Sequence, residues 1–157
     1  MKKILVTGGS GFIGSNFILN QIRETSNFII NYDKLTYAGL NNNLENINDD
    51  ERYKFIKGDI CDNSKFKNTL IEFTPDWIIN FAAESHVDRS INSPMNFIRT
   101  NVVGTATMLN TLNFYEKFKN YRFLHVSTDE VYGSIDGEGK FNENSIYRPN
   151  SPYSASK

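Results

Sequence analysis

Thr7-Gly8-Gly9-Ser10-Gly11-Phe12-Ile13-Gly14 places three glycines as G-x-x-G-x-x-G near the amino terminus. A short β-branched run, Ile4 to Thr7, precedes it, and Ile13, Phe17, Ile18 and Ile22 follow at helical spacing. Strand, glycines and helix in that order form a tight turn in which missing Cβ atoms let backbone amides approach a pyrophosphate. The helix amino terminus adds a partial positive charge. A glycine-rich turn without a ligand is the plainer account, and the flanking strand and helix weigh against it.

Working outward, β-rich runs recur at Phe28 to Tyr32, Tyr53 to Lys57, Trp77 to Phe81 and Arg122 to Ser127. Helical patterns separate them. Ser64 is suited to cap a helix carrying Phe66 and Leu70, which Pro75 stops, and one long helix is expected from near Pro94 to Tyr115 through Phe97, Ile98, Val102, Met108, Leu109 and Leu112. The Asn-rich stretch from Asn41 to Asn48 and the stretch from Ser134 to Asn144 read as surface loops. Alternating strands and helices, with strands apolar on both faces, predict an α/β fold with a doubly wound parallel sheet, the Rossmann fold. No domain boundary is expected inside the chain. Folds of this kind carry ligands beyond the carboxyl ends of their strands, so function is sought there.

A chain of 157 residues is long enough for one domain with a sizeable core. A net charge of -1 with interspersed signs provides no field for gathering nucleic acid or an anionic membrane surface, so neither is an expected partner. The single Cys61 forms no internal disulfide, and no run reaches the roughly 18 apolar residues of a membrane span. Met1-Lys2-Lys3 leads straight into the first strand without a secretory apolar core, so a cytoplasmic location is expected. No metal site is expected.

Asp33 ends the second strand, 19 residues beyond Gly14. An acid there can accept hydrogen bonds from adenosine ribose hydroxyls and repel a 2′-phosphate, which favours NAD over NADP. The neighbouring Lys34 supplies an opposing positive charge. A solvated strand-end acid is the alternative. After the fourth strand, Asn80-Phe81-Ala82-Ala83-Glu84-Ser85-His86-Val87-Asp88-Arg89-Ser90 combines small residues, which leave room for a cofactor, with polar ones. After the fifth, Ser127-Thr128-Asp129-Glu130-Val131-Tyr132-Gly133 brings out a hydroxyl and two acids, which composition alone would assign to a solvated turn. Ser151 and Pro152 suit the cap and first position of a helix on which Tyr153 and Lys157 share a face. An ammonium there is expected to lower the phenol pKa and favour a tyrosinate base, against the alternative of an ordinary surface pair.

Six ordered blocks resemble the dTDP-glucose 4,6-dehydratases, a family of extended short-chain dehydrogenases/reductases: Thr7 to Gly14, Asp33 to Gly39, Phe81 to Ser90, Thr100 to Thr105, His125 to Gly133 and Ser151 to Lys157. The related UDP-glucose 4-epimerases share the glycine loop and the Tyr/Lys pair but lack the Asp-Glu couple after Thr128. The resemblance implies that Tyr153 deprotonates the sugar 4-hydroxyl with help from Thr128 and Lys157, and that NAD takes the C4 hydride and returns it to C6. Glu130 then removes the C5 proton, and Asp129 protonates the departing C6 hydroxyl. It further implies cofactor contacts at Gly8, Gly11, Phe12, Ile13, Gly14, Asp33, Lys34, Leu35, Thr36, Asp59, Ile60, Phe81, Ala82, Ala83, Glu84, Ser85, Thr100, Tyr153 and Lys157, with Asp59 and Ile60 near the adenine. Ser85 and Thr128 map to substrate contacts.

Family members continue for roughly another chain's length with a smaller sugar-nucleotide domain, expected to be absent from this chain, and they imply a homodimer at full length. The expectation for residues 1–157 is therefore an NAD-binding Rossmann domain, incomplete on its carboxyl side. Its last helix, under two turns long, would fray. A non-catalytic dinucleotide-binding fragment, or a relative acting on a UDP- or CDP-sugar, remains open.

Overall fold

A computed structural model describes residues 1–116, 120–135 and 137–157. These form two compact units, Met1–Ala82 with Gly104–Val126 and Ala83–Val103 with Ser127–Lys157.

In the first unit, β1 (Lys3–Thr7), β2 (Phe28–Asp33), β3 (Tyr53–Lys57), β4 (Trp77–Asn80) and β5 (Arg122–His125) pair in parallel in the order β3-β2-β1-β4-β5. The chain works outward from β1 to β3 and then returns to add β4 on the other side, so the strand order reverses between β1 and β4. Ligands bind at such a reversal in open α/β sheets. Alternation along β1 feeds two cores. Leu5, with Ile30 and Ile78, packs against Phe66 and Leu70 of α2 (Asn63–Phe73) and Met108, Leu112 and Tyr115 of α5 (Thr105–Tyr115). Ile4 and Val6, with Ile29 and Ile79, pack against Ile18 and Ile22 of α1 (Phe12–Glu24) and Leu44 and Ile47 of a 3-10 helix at Asn41–Ile47. Each such side chain contributes about 1.5–3 kcal/mol by leaving water. The parallel, doubly wound architecture is the expected one.

Three local expectations need correction. The Asn-rich segment is a 3-10 helix rather than an open loop, because Leu44 and Ile47, three apart, both turn into the core. Asp62, not Ser64, caps α2: its side chain accepts from the Lys65 N–H at 2.9 Å, and starting the helix there turns Phe66 and Leu70 inward. The long helix is not uniform, since α4 (Pro94–Phe97) passes through a π-helical stretch, Ile98–Gly104, before α5 begins.

The second unit is helical. It contains α3 (Val87–Asn92), α4, most of the π-helical stretch, a 3-10 turn at Asp129–Tyr132 and α6 (Pro152–Ser156). The helical patterns of the sequence do not predict α3. α6 is as short as expected, yet Ser151 and Ser154 form a reciprocal capping box, Pro152 opens the helix, and α6 packs on α3 and α4 with the Tyr153 ring edge-on to Phe97 at 6.3 Å. Capping and packing supply what its length does not. Among the described residues no helix is long and apolar enough to cross a membrane.

Candidate functional site

In the first unit the glycine turn fits as tightly as its spacing implies. Gly8 has φ +70°, and a Cβ there would overlap the Ala82 backbone; a Cβ on Gly14 would strike the Gly8 carbonyl. Neither position tolerates a side chain. The turn delivers the chain to α1, whose first residues Phe12 and Ile13 are exposed and whose amino end has no side-chain cap. Orphan amides and the helix dipole therefore meet at the carboxyl edge of β1, a setting suited to an anion.

Asp33, buried at the end of β2, is held at both carboxylate oxygens. Oδ2 accepts from the Ser10 N–H at 2.9 Å and Oδ1 from the Leu35 N–H at 2.7 Å, so one acid joins the glycine turn to the loop after β2. Each oxygen keeps a further lone pair for a ribose hydroxyl. Leu35 sits in the left-handed region at φ +59°, a strained posture for a non-glycine residue and one that recurs at ligand sites. Lys34 is exposed, and its Nζ lies 2.7 Å from Asp59 Oδ2 in the loop after β3. Burial pushes the Asp59 carboxyl up, but Lys34 and the Cys61 N–H outweigh it and hold the group below its ordinary value. Thr36 is exposed, whereas Ile60 belongs to the core beneath α2 and α5.

A buried polar chain that the sequence reading did not single out crosses the same sheet edge. Asn80 Oδ1 accepts from Thr7 Oγ1 at 2.6 Å and from the Ala82 N–H at 3.1 Å, while Asn80 Nδ2 lies 3.0 Å from His125 Nδ1. An amide ending an otherwise apolar strand was the available signal. Phe81 stacks obliquely on Phe17, with centroids 5.5 Å apart.

In the second unit, Asn101 lies within the π-helical stretch and is buried. Its Nδ2 donates to the Glu84 carbonyl at 2.9 Å and to Ser156 Oγ at 2.8 Å, and its Oδ1 accepts from the Glu84 N–H at 2.8 Å. It thereby ties the loop bearing Ala83, Glu84 and the exposed Ser85 to α6. Thr100, beside it, is partly buried. Thr128 caps the 3-10 turn, accepting from the Glu130 N–H at 3.3 Å and donating to Asp129 Oδ1 at 3.4 Å.

Tyr153 is buried and hydrogen-bonded to the Thr128 side chain. Burial pushes its phenol above the ordinary value, Glu130 and Asp129 push it further, and the Thr128 bond only partly opposes them. This corrects the expectation of a phenol lowered by Lys157, whose ammonium is not among the groups that move it. Burial lowers Lys157's own pKa. Two acids and a hydroxyl on one 3-10 turn thus lie against the short helix that carries the phenol, groups of the types that move protons in general acid-base chemistry. Among the described residues no three His, Cys, Asp or Glu side chains gather to hold a metal ion.

The model of the GDP-mannose 4,6 dehydratase family matches residues 5–157. The chain belongs to that family. It is 51% identical over 163 residues to a dTDP-glucose 4,6-dehydratase of Xanthomonas campestris pv. campestris, covering 100% of this chain and 46% of that protein. A dTDP-glucose 4,6-dehydratase of Bacillus anthracis, solved in complex with NAD, superposes with a TM-score of 0.89 at 43% identity, over 100% of this chain and 47% of that one. The UDP-Glc/GlcNAc 4-epimerase of Campylobacter jejuni gives a TM-score of 0.88 at 30% identity, over 100% of this chain and 46% of that one. The family member described here spans about half the length of these relatives.

Proposed function

We propose that the native protein is a dTDP-glucose 4,6-dehydratase, which converts dTDP-glucose to the 4-keto-6-deoxy sugar nucleotide and water with tightly held NAD. The observation that carries this reading is that Asp129 and Glu130 stand on the 3-10 turn capped by Thr128, and that this turn packs against α6, which carries Tyr153. An oxidation at C4 alone needs the tyrosine, whereas loss of water across C5 and C6 also needs a base and an acid.

The chain fits the cofactor: the turn at Gly8 and Gly14 has no space for side chains, α1 is uncapped, and Asp33 ends β2 with lone pairs to spare. Bound NAD would supply a store for the hydride passed from C4 to C6. Gly8, Gly11, Phe12, Ile13 and Gly14 would hold its pyrophosphate, Asp33 with Lys34, Leu35 and Thr36 its ribose, and Asp59 and Ile60 would border its adenine. Phe81 to Ser85 and Thr100 line the remainder. Tyr153 takes the proton of the 4-hydroxyl, with Thr128 hydrogen-bonded to it and Lys157, at the end of α6, assisting. The resulting ketone acidifies the C5 proton, which passes to Glu130, while Asp129 gives its proton to the C6 hydroxyl as that group leaves as water. A proton returned to C5 completes the product.

Sugar-nucleotide gripping is assigned to the portion of the relatives' length that this chain does not cover, with Ser85 and Thr128 as contacts from this side. A homodimer working in the cytoplasm completes the proposal, supported by exposed Ile98, Val102 and Val103 along the π-helical stretch and by a single cysteine, Cys61, in the sequence. The epimerase likeness at 30% identity keeps a UDP-sugar reading as the second choice. Incubating the native protein with dTDP-, UDP- and CDP-glucose separates the two. Product 18 mass units lighter from dTDP-glucose supports dehydration by the loss of one water, about 18 Da. Isomerised product of unchanged mass, or reaction with UDP-glucose alone, refutes it.

A further inference from the structure

Lys34 poses a contradiction for an NAD site. It directly follows the acid that ends β2, the neighbourhood in which dinucleotide domains that take the phosphorylated cofactor carry a basic residue for the 2′-phosphate. We propose that Asp59 sets cofactor choice by occupying Lys34, so that the ammonium is withheld from a 2′-phosphate. This rests on the NAD reading above and adds a specificity-determining role, exerted through Lys34, to a residue otherwise placed only near the adenine.

The geometry makes Asp59 a prepared anchor rather than a passing surface contact. Its Oδ1 accepts from the Cys61 N–H at 2.9 Å, its carbonyl accepts from the Tyr32 hydroxyl at 3.1 Å, and its Oδ2 meets Lys34 Nζ at 2.7 Å. The Tyr32 ring lies so close to Gly58 that no Cβ fits there, which fixes the backbone immediately before the acid. The Asp59 side chain is 25% exposed and that of Lys34 53%, so the acid is the held partner and the lysine is the one drawn to it. Charge points the same way. Asp33, Lys34 and Asp59 together carry one net negative charge, which opposes a phosphate dianion and is indifferent to a ribose hydroxyl. Replacing Asp59 with asparagine makes that trio neutral and frees a flexible ammonium able to form a charge-assisted bond to phosphate.

Calorimetric titration of the native protein with NAD and with NADP tests this across four forms: unmutated, Asp59→Asn, Asp59→Glu and Lys34→Met, with Asp59→Asn/Lys34→Met as the closing control. The NADP-to-NAD affinity ratio should rise roughly tenfold in Asp59→Asn, as expected for one hydrogen bond between charged groups. It should return towards the unmutated ratio in Asp59→Glu and in the double variant, and the gain should shrink as salt is raised. Lys34→Met alone should leave the ratio nearly unchanged. An unmoved ratio in Asp59→Asn, a gain that survives in the double variant, or a clear loss of NADP affinity in Lys34→Met would each overturn the proposal while leaving NAD binding intact. An unmutated protein without affinity for NAD would remove the NAD reading itself, and this role with it.

Discussion

The amide of Asn101 donates to the hydroxyl of Ser156 at 2.8 Å, joining the π-helical stretch to the helix that carries Tyr153 and ends at Lys157. Ser156 Oγ in turn donates to the Tyr153 carbonyl at 2.7 Å, so the amide reaches the backbone of the proposed base through one hydroxyl. Asn101→Ala should therefore act at a distance. It strips three bonds from buried groups and should destabilise the fold by about 1–3 kcal/mol. Turnover should fall more than substrate affinity. A matched loss in kcat and KM, or full activity, would show that α6 does not depend on this support.

Gly8→Ala should be among the most damaging single changes in the first unit. The new Cβ meets the Ala82 backbone and also forces an alanine into φ +70°. The left-handed conformation alone costs about 1–2 kcal/mol, and the overlap adds to it. Urea unfolding should show a lower midpoint, and NAD affinity should drop with it. Alanine at Gly137, which also has positive φ but nothing within 4 Å, should lose only the conformational part.

Much of this architecture was legible because strand, turn and helix signals agreed with one another along Ile4 to Ile22 and again along the later strands. Legibility failed where a signal was faint or shared. Leu44 and Ile47 were two apolar residues in an asparagine-rich stretch, and only their burial makes it a helix. Asp62 and Ser64 are both good caps, and the inward phase of Phe66 and Leu70 decides between them. In the candidate site, the Thr128 to Glu130 group and Tyr153 stood out by type and spacing. Asn80 and Asn101 did not, since a buried amide in an apolar run shows in sequence only as an incongruity. The pairing of Lys34 with Asp59 spans two strand ends and leaves no local trace.

Glu130→Gln, in the native protein, should stop elimination and spare removal of the C4 hydride, so reduced cofactor should accumulate at 340 nm, about the wavelength at which reduced nicotinamide absorbs. Removing that carboxylate also removes a charge that raises the Tyr153 pKa. The rising limb of the first hydride transfer should consequently move to lower pH. Solvent deuterium entering C5 at the normal rate would exclude Glu130 as the base.

Alkali should weaken the fold by a predictable route. Burial, then Asp76, pushes the Tyr115 phenol up to about 12 from its ordinary 10.0. Above the ordinary value the unfolded chain releases this proton while the folded chain keeps it. The folded state then binds more protons, and stability falls as pH rises from about 10 towards about 12. Tyr115 donates to the Pro75 carbonyl at 3.3 Å, so Tyr115→Phe costs one modest bond near neutrality. Its denaturation midpoint should nevertheless decline less steeply across that interval. Parallel slopes for the two proteins would place the alkaline sensitivity elsewhere.

Asp33→Asn should weaken NAD by roughly tenfold, the scale of one bond to a charged group, and narrow its lead over NADP. Equal affinity of the unmutated protein for both cofactors would contradict the role of this acid. The chosen substitution keeps one acceptor for the loop, whereas Asp33→Ala should lower the thermal midpoint as well.

That difference has a bearing on descent. The carboxylate proposed to discriminate between cofactors also fastens Ser10 to Leu35. A lineage drifting towards the phosphorylated cofactor cannot discard this acid without slackening the turn proposed to receive the pyrophosphate, so the most direct mutational step is also a crippling one. Neutral wandering at this position is barred, and adaptation has to begin at sites such as Lys34 or Asp59, whose replacement leaves the fastening whole.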